Sequence, residues 1–203
     1  MSHAQAKLLR EIPCHARDLP RLVLMTDDER LLHPVAAARR LPKESLVVVR
    51  ARDRYRREAL TASIVGIARA RGLRVIVADD PVLAVRYRVD GTHFSEATAG
   101  RIAHWRALRP GWLLTASAHS LRAAARAASH GADAIFLSPV FPTRSHPDRA
   151  PHGPMRLRAI ARLAPIAIYA LGGIDALSVR RLRGARIAGV AAIGALAISS
   201  ASN

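Results

Sequence analysis

The sequence predicts a closed eight-stranded parallel barrel, a single α/β domain of the (β/α)8 TIM-barrel class, and three observations carry that prediction. Eight short apolar runs recur along the 203 residues, each of the first seven followed by a stretch that reads as helix. The runs are continuous rather than alternating, which marks strands buried on both faces, as parallel strands covered by helices are. Polar residues and glycines collect just after the runs, where a barrel of this kind carries its chemistry. A doubly wound open sheet is the competing fold. It calls for fewer strands and a glycine fingerprint after the first, whereas here the first run ends in Asp27 and Asp28.

The elements follow in order. The first strand is read over 21–26, and a helix over 34–40 begins at Pro34, a residue suited to a first helical turn. The second strand spans 46–50, and the helix after it, 55–71, has Gly72 placed to cap it. The third strand, 75–78, runs into Asp79-Asp80-Pro81, where Pro81 opens a short helix. The fourth, 91–94, is followed by a helix over 98–108 that Pro110-Gly111 closes. The fifth spans 112–116, with Ser120 able to cap the helix 121–129. The sixth spans 134–138 and precedes the longest loop, 139–153. The seventh spans 166–170 and ends in Leu171-Gly172-Gly173; the eighth spans 187–193 and ends at Gly194. Residues 1–20 stand before this pattern as an N-terminal extension, and residues 21–203 form the barrel.

Half the residues are apolar and 23% are charged, an ordinary balance for a globular domain of this length. The one cysteine, Cys14, excludes an internal disulfide framework and points to a reducing cytoplasm. The formal charge of +17 rests almost wholly on arginine, since only Lys7 and Lys43 are lysines. The arginines are spread over predicted helix faces without a dense run or interleaved aromatics. That pattern favours a solvated surface over a nucleic-acid partner. The most apolar stretch, 187–198, is too short to cross a bilayer, so no membrane partner is expected. The sequence carries no signal for an oligomeric state.

The run-ends supply candidate site residues. Gly172-Gly173 and Gly194 fall after strands seven and eight, a frequent phosphate position in barrels, where glycine lets peptide N–H groups approach ligand oxygens. Asp175 is placed to cap the short helix that follows them. Arg50 ends the second strand, and Arg52 falls on the same side if the chain stays extended. A guanidinium there grips phosphate through two parallel hydrogen bonds, or pairs with Asp27 or Asp79. Asp79 is a candidate Mg2+ ligand beside a phosphorylated substrate, and Asp80 reads as a helix start. Ser117 and His119 end the fifth strand. His119 is an acid–base candidate and equally a helix cap. No two of the nine histidines stand as HxH or HxxxH on one element, so a histidine metal site is not expected.

These residues lie within longer matches. Gly131-Ala132-Asp133 leads into Ser138-Pro139-Val140-Phe141-Pro142-Thr143; Ala170-Leu171-Gly172-Gly173-Ile174 and Gly189-Val190-Ala191-Ala192-Ile193 follow. With Asp90-Gly91-Thr92-His93 and Ser117-Ala118-His119-Ser120, the chain from about Leu22 to Leu196 resembles the thiamine phosphate synthase and thiazole tautomerase superfamily. The resemblance implies a transferase that joins hydroxymethylpyrimidine diphosphate to thiazole phosphate, releasing diphosphate. It implies that Arg50 and Ser117 bind diphosphate, that Thr143 and Ser145 belong to the substrate loop, and that Gly172 and Gly173 hold the thiazole phosphate. Asp79 matches a Mg2+ ligand. Several positions depart from the pattern: Arg52 stands for a lysine, Val48 for a glutamine, Ala78 for an asparagine and His146 for the loop lysine. The second metal-binding aspartate, expected near Thr98, is missing, and Glu96 is the nearest acid. Pro139 occupies the place of the tautomerase histidine, which disfavours that branch. The alternatives are a binding or regulatory protein that keeps the phosphate pocket for thiazole phosphate or thiamine phosphate without turnover, or a thiazole tautomerase-like protein.

Overall fold

The computed structural model describes residues 18–143 and 149–193. Eight strands close into one barrel: β1 (Leu22–Met25), β2 (Leu46–Val49), β3 (Arg74–Ala78), β4 (Gly91–Phe94), β5 (Leu113–Ala118), β6 (Ala134–Leu137), β7 (Ala167–Leu171) and β8 (Gly189–Ala192). Each pairs in parallel with its sequence neighbours, and β8 closes the ring on β1 through Leu22–Val190, Val23–Ala191 and Leu24–Ala192. The open-sheet alternative is thereby excluded.

The helices are α1 (Pro34–Arg39), α2 (Arg54–Arg71), α3 (Pro81–Tyr87), α4 (Ile102–Leu108), α5 (Leu121–Ser129) and α6 (Gly153–Leu163). Their ends bear out the local chemistry. Gly72 caps α2 in the left-handed conformation, φ 66°. Asp80 accepts from the Leu83 N–H at the start of α3, and Ser120 accepts from Ala123 at the start of α5. One expectation is corrected and one is sharpened. The helix expected over 98–108 opens as a 3-10 turn, Ala99–Arg101, before α4. The stretch after β7 carries a 3-10 helix, Ser178–Leu182, preceded by Asp175, which accepts from the N–H groups of Leu177 and Ser178.

The apolar strands divide by alternation into two cores. Leu22, Leu24, Val47, Val49, Val75, Val77 and Ile135 pack outward against the helices. Val23, Met25, Leu46, Val48, Ile76, Leu113, Phe136 and Tyr169 fill the barrel interior. Phe136 stacks on Tyr169 at 4.9 Å between ring centres, and the Tyr169 hydroxyl donates to the Pro20 carbonyl at 2.8 Å. The interior is thus plugged, and a ligand is confined to the rim. Val48, where the resemblance places a glutamine, is part of this plug.

Candidate active site at the C-terminal mouth

The rim is built on Thr26. Its buried hydroxyl donates to the Arg50 carbonyl and accepts from the Arg50 N–H, both at 2.7 Å. These two bonds extend the β1–β2 ladder past its last apolar residue and deliver the Arg50 side chain to the mouth. The guanidinium then meets Asp27, Nη1 to Oδ2 at 3.2 Å. Asp27 also holds Arg30, whose Nε donates to Oδ1 at 3.1 Å and whose Nη2 donates to Oδ2 at 2.5 Å. Burial pushes the Asp27 carboxyl up, but hydrogen bonds and charge from Arg30 outweigh it and bring the pKa down to about 2.

Across the mouth, the chain after β6 runs beside the chain after β7. Val140 donates to the Leu171 carbonyl at 2.9 Å and Phe141 to the Gly172 carbonyl at 3.0 Å. Gly172 (φ 93°) and Gly173 (φ 64°) both need the left-handed region. A Cβ on Gly173 would sit 2.6 Å from the Pro142 carbonyl oxygen, so the close approach of the two loops requires glycine there. Among the described residues, the N–H groups of Gly172 and Gly173 make no turn or loop hydrogen bond, which leaves them for ligand oxygens.

Between these two banks lies a hollow of ≈ 630 Å³, large enough for a small phosphorylated molecule. Arg30, Arg50, Thr143, Gly172, Gly173 and Ser138 line it, with Met25 and Ala191 at its floor. Glu29 and Asp175 also reach it. Arg50, Thr143 and the glycine pair, which come from distant parts of the sequence, therefore share one cavity. Arg52 does not line it. Its side chain is 82% exposed and pairs with Glu29 at 3.3 Å, because its backbone is turned outward by a bond from its N–H to Asp28. Gly194 and Ser145 lie outside the described residues, as does His146.

The β3–β5 side of the rim is arranged differently. His93 is buried in the interior, with Nδ1 2.9 Å from Thr115 Oγ1 and Nε2 3.0 Å from Ser117 Oγ, and its ring meets Phe136 edge-on. Burial lowers its pKa to about 4, so it is neutral at neutral pH. Ser117 is thus the outer end of a hydrogen-bonded column rooted in the core. Asp79, at φ 53°, accepts on Oδ1 from the Ser95 N–H and from the Thr98 hydroxyl. Thr98, standing where the resemblance places a second acid, acts as a donor to the first. Glu96, the nearest acid, accepts from His119 Nδ1 at 2.8 Å and from Arg126 at 3.3 Å. His119 is consequently half of an imidazole–carboxylate pair, and the cap of α5 is Ser120 instead.

Sequence reasoning named Arg50, Thr143 and the glycines of the hollow but passed over Arg30. The signal was present in the Asp27-x-x-Arg30 spacing, which brings an acid and a base together across a single turn. It also named His93 without its role, because a column through Thr115 to Ser117 depends on the strand register between β4 and β5.

Among the described residues, no group of three histidine, cysteine or acidic side chains is placed to hold a metal, and no helix is long and apolar enough to cross a membrane.

Known proteins agree with the architecture. A thiamine phosphate pyrophosphorylase from Pyrococcus furiosus superimposes with a TM-score of 0.73 over 86% of this chain and 85% of its own, at 24% identity. The thiamine-phosphate synthase of Methanoculleus marisnigri is 36% identical over 126 residues, 62% of this chain and 60% of that protein. That of Geobacillus thermodenitrificans is 35% identical over 145 residues, 70% of this chain and 64% of that protein. The matched stretches span less than two thirds of those relatives' length. The family model described as thiamine monophosphate synthase matches residues 22–196, the whole of the barrel described above, and the chain belongs to that family.

Proposed function

We propose that the protein is a thiamine-phosphate-synthase-type transferase, joining hydroxymethylpyrimidine diphosphate to thiazole phosphate with release of diphosphate. The observation that carries this reading is the convergence of Arg50, Thr143 and Gly172-Gly173 on one hollow at the barrel mouth. In such a reaction the bond from the pyrimidine methylene carbon to the diphosphate oxygen breaks, and the thiazole nitrogen supplies the electron pair for the new C–N bond. Negative charge builds on the departing diphosphate, so fixed cations and N–H donors aimed at it lower the barrier. Arg50 provides the guanidinium, with Arg52 close by on the outer lip. Ser117, held by His93, provides a hydroxyl. The N–H groups of Gly172 and Gly173, with Thr143 and in turn Ser145 and Gly194, hold the thiazole phosphate and so bring the two reactants into one orientation. His119, paired with Glu96, is the acid–base candidate of this reading at the β5 rim.

Mg2+, when bound beside Asp79 with the diphosphate, would supply charge neutralisation to the leaving group. The donor set suits an ion carried in by the substrate, because Asp79 offers one carboxylate and its Oδ1 is already used by Ser95 and Thr98. Small phosphorylated substrates and a cytoplasmic setting belong to the same reading. The test is incubation of purified protein with both phosphorylated substrates and Mg2+, with thiamine phosphate measured by chromatography. No product at any enzyme concentration ends the transferase reading. A second reading, a binding protein without turnover, is favoured by one feature: Thr98 stands in place of a second acid. Calorimetric binding of thiazole phosphate without turnover supports it.

A further inference from the structure

Among the described residues, two guanidiniums reach the hollow, and both are held by a single carboxylate. Among the described residues, the side chains of Arg30 and Arg50 hydrogen-bond to Asp27 and to nothing else. Arg30 uses Nε and Nη2, leaving Nη1; Arg50 uses Nη1, leaving Nε and Nη2. The trio therefore carries one net positive charge and keeps N–H donors in reserve. Asp27 is the innermost member, its side chain 12% exposed, while those of Arg30 and Arg50 are 29% and 47% exposed. The carboxylate sits beneath and the cations stand above it, toward solvent.

The two carboxylates that also line the hollow are occupied elsewhere. Glu29 turns to Arg52 at the lip, and Asp175 accepts from the backbone N–H groups of Leu177 and Ser178. Among the described residues, Arg30 and Arg50 are then the cations lining the hollow with unspent donors, and the N–H groups of Gly172 and Gly173 line it with them without a turn or loop hydrogen bond.

We propose that Arg30 and Arg50 form a two-guanidinium clamp for a phosphate or diphosphate group, with Asp27 as the positioning residue that pre-orients both. The inference deepens the transferase reading and rests on it for the identity of the ligand. Phosphate and diphosphate share the chemistry that guanidinium recognises, planar bidentate hydrogen bonding to anionic oxygens. A site already ordered by Asp27 loses less side-chain entropy on binding.

The test is calorimetric titration of the whole chain with inorganic phosphate and, separately, with inorganic diphosphate. Arg30→Gln is expected to weaken the preferred anion by about tenfold, with Arg30→Lys falling between it and the native chain. Arg39→Gln, which removes the same charge from the exposed end of α1, is expected to leave affinity unchanged. Thermal unfolding of each variant separates lost binding from lost folding. Asp27→Asn is expected to speed solvent exchange of the Arg30 Nε–H in nuclear magnetic resonance spectra, with saturating anion restoring its protection. Tighter binding of diphosphate assigns the clamp to the leaving group, and tighter binding of phosphate assigns it to the thiazole phosphate. Native-like affinity of Arg30→Gln for both anions overturns the clamp, as does failure of the native chain to bind either. Anion binding without thiamine phosphate formation would end the transferase reading and leave the clamp standing. Product formation with an unaffected Arg30→Gln would do the reverse.

Discussion

The two sides of the barrel mouth use polar residues in opposite ways. On the β1–β2 and β7–β8 side, Arg30, Arg50, Gly172 and Gly173 surround an open hollow, and among the described residues some of their donors have no partner in the protein. On the β3–β5 side the polar groups bond in separate sets within the protein: Asp79 with Ser95 and Thr98, Glu96 with His119 and Arg126, and His93 with Thr115 and Ser117. The first side is preorganised for an anion. The second is organised internally, and a ligand there has to compete with bonds already made. Rim polarity alone therefore does not locate a binding surface; the unspent donors do.

The sharpest way to break this contrast is to remove a donor from the open side. Arg50→Ala is expected to lower kcat/KM for thiamine phosphate formation by about a hundredfold, as loss of a transition-state donor does. Steady-state kinetics check it, and a near-native value would detach the hollow from the chemistry. Next is the glycine bank. Gly173→Ala places a Cβ 2.7 Å from the Phe141 Cβ in a backbone with φ 64°, and is expected to cost roughly 1–3 kcal/mol of stability by denaturant unfolding. It also presses the Thr143 loop away from the cavity, so the affinity for thiazole phosphate falls with it.

The internally bonded side makes a pH prediction. His93 has a folded pKa near 4 against an ordinary value of 6.5, so the unfolded chain binds its proton first as pH falls. Its contribution is complete above 6.5 and is lost as pH drops from 6.5 toward 4. His93→Phe is expected to flatten the stability profile in that interval, measured by urea unfolding at a series of pH values. Asp27 acts lower: its support is present above 3.8 and is lost as pH falls toward 2, so the native chain keeps an acid limb after the histidine is removed.

The smallest expected effect sharpens the contrast at Asp79. Thr98→Ala deletes one hydrogen bond to that carboxylate and is expected to cost about 1 kcal/mol of stability. Thr98→Asp sets a second carboxylate beside it. The variant should melt lower than the native chain without metal and regain stability as Mg2+ and diphosphate are added. A melting temperature indifferent to both would show that this corner cannot be rebuilt as a metal site.

Much of the barrel was legible because its determinants are local. Continuous apolar runs reported burial on both faces, and Gly72, Asp80 and Ser120 marked helix ends through bonds to residues at most four positions away. The start of the helix after β4 was less legible, since Ala99–Arg101 winds as a 3-10 turn under the hydrogen bonds that tie Ser95 and Thr98 to Asp79. The outward position of Arg52 was hard to read for a related reason. Alternation holds only while a chain stays extended, and Asp28 turns the backbone just after β2.

By itself the sequence determined the fold class, the order of the elements, the family and the rim positions from which chemistry is possible, because spacing and residue type encode local conformation and burial. Only the tertiary structure decided which rim residues have donors to spare. Whether an arginine or a carboxylate is free depends on partners brought together by strand register and barrel closure, as Asp27 is with Arg50 from the next strand and as Glu96 is with His119. Those pairings are non-local, and no pattern along the chain records them.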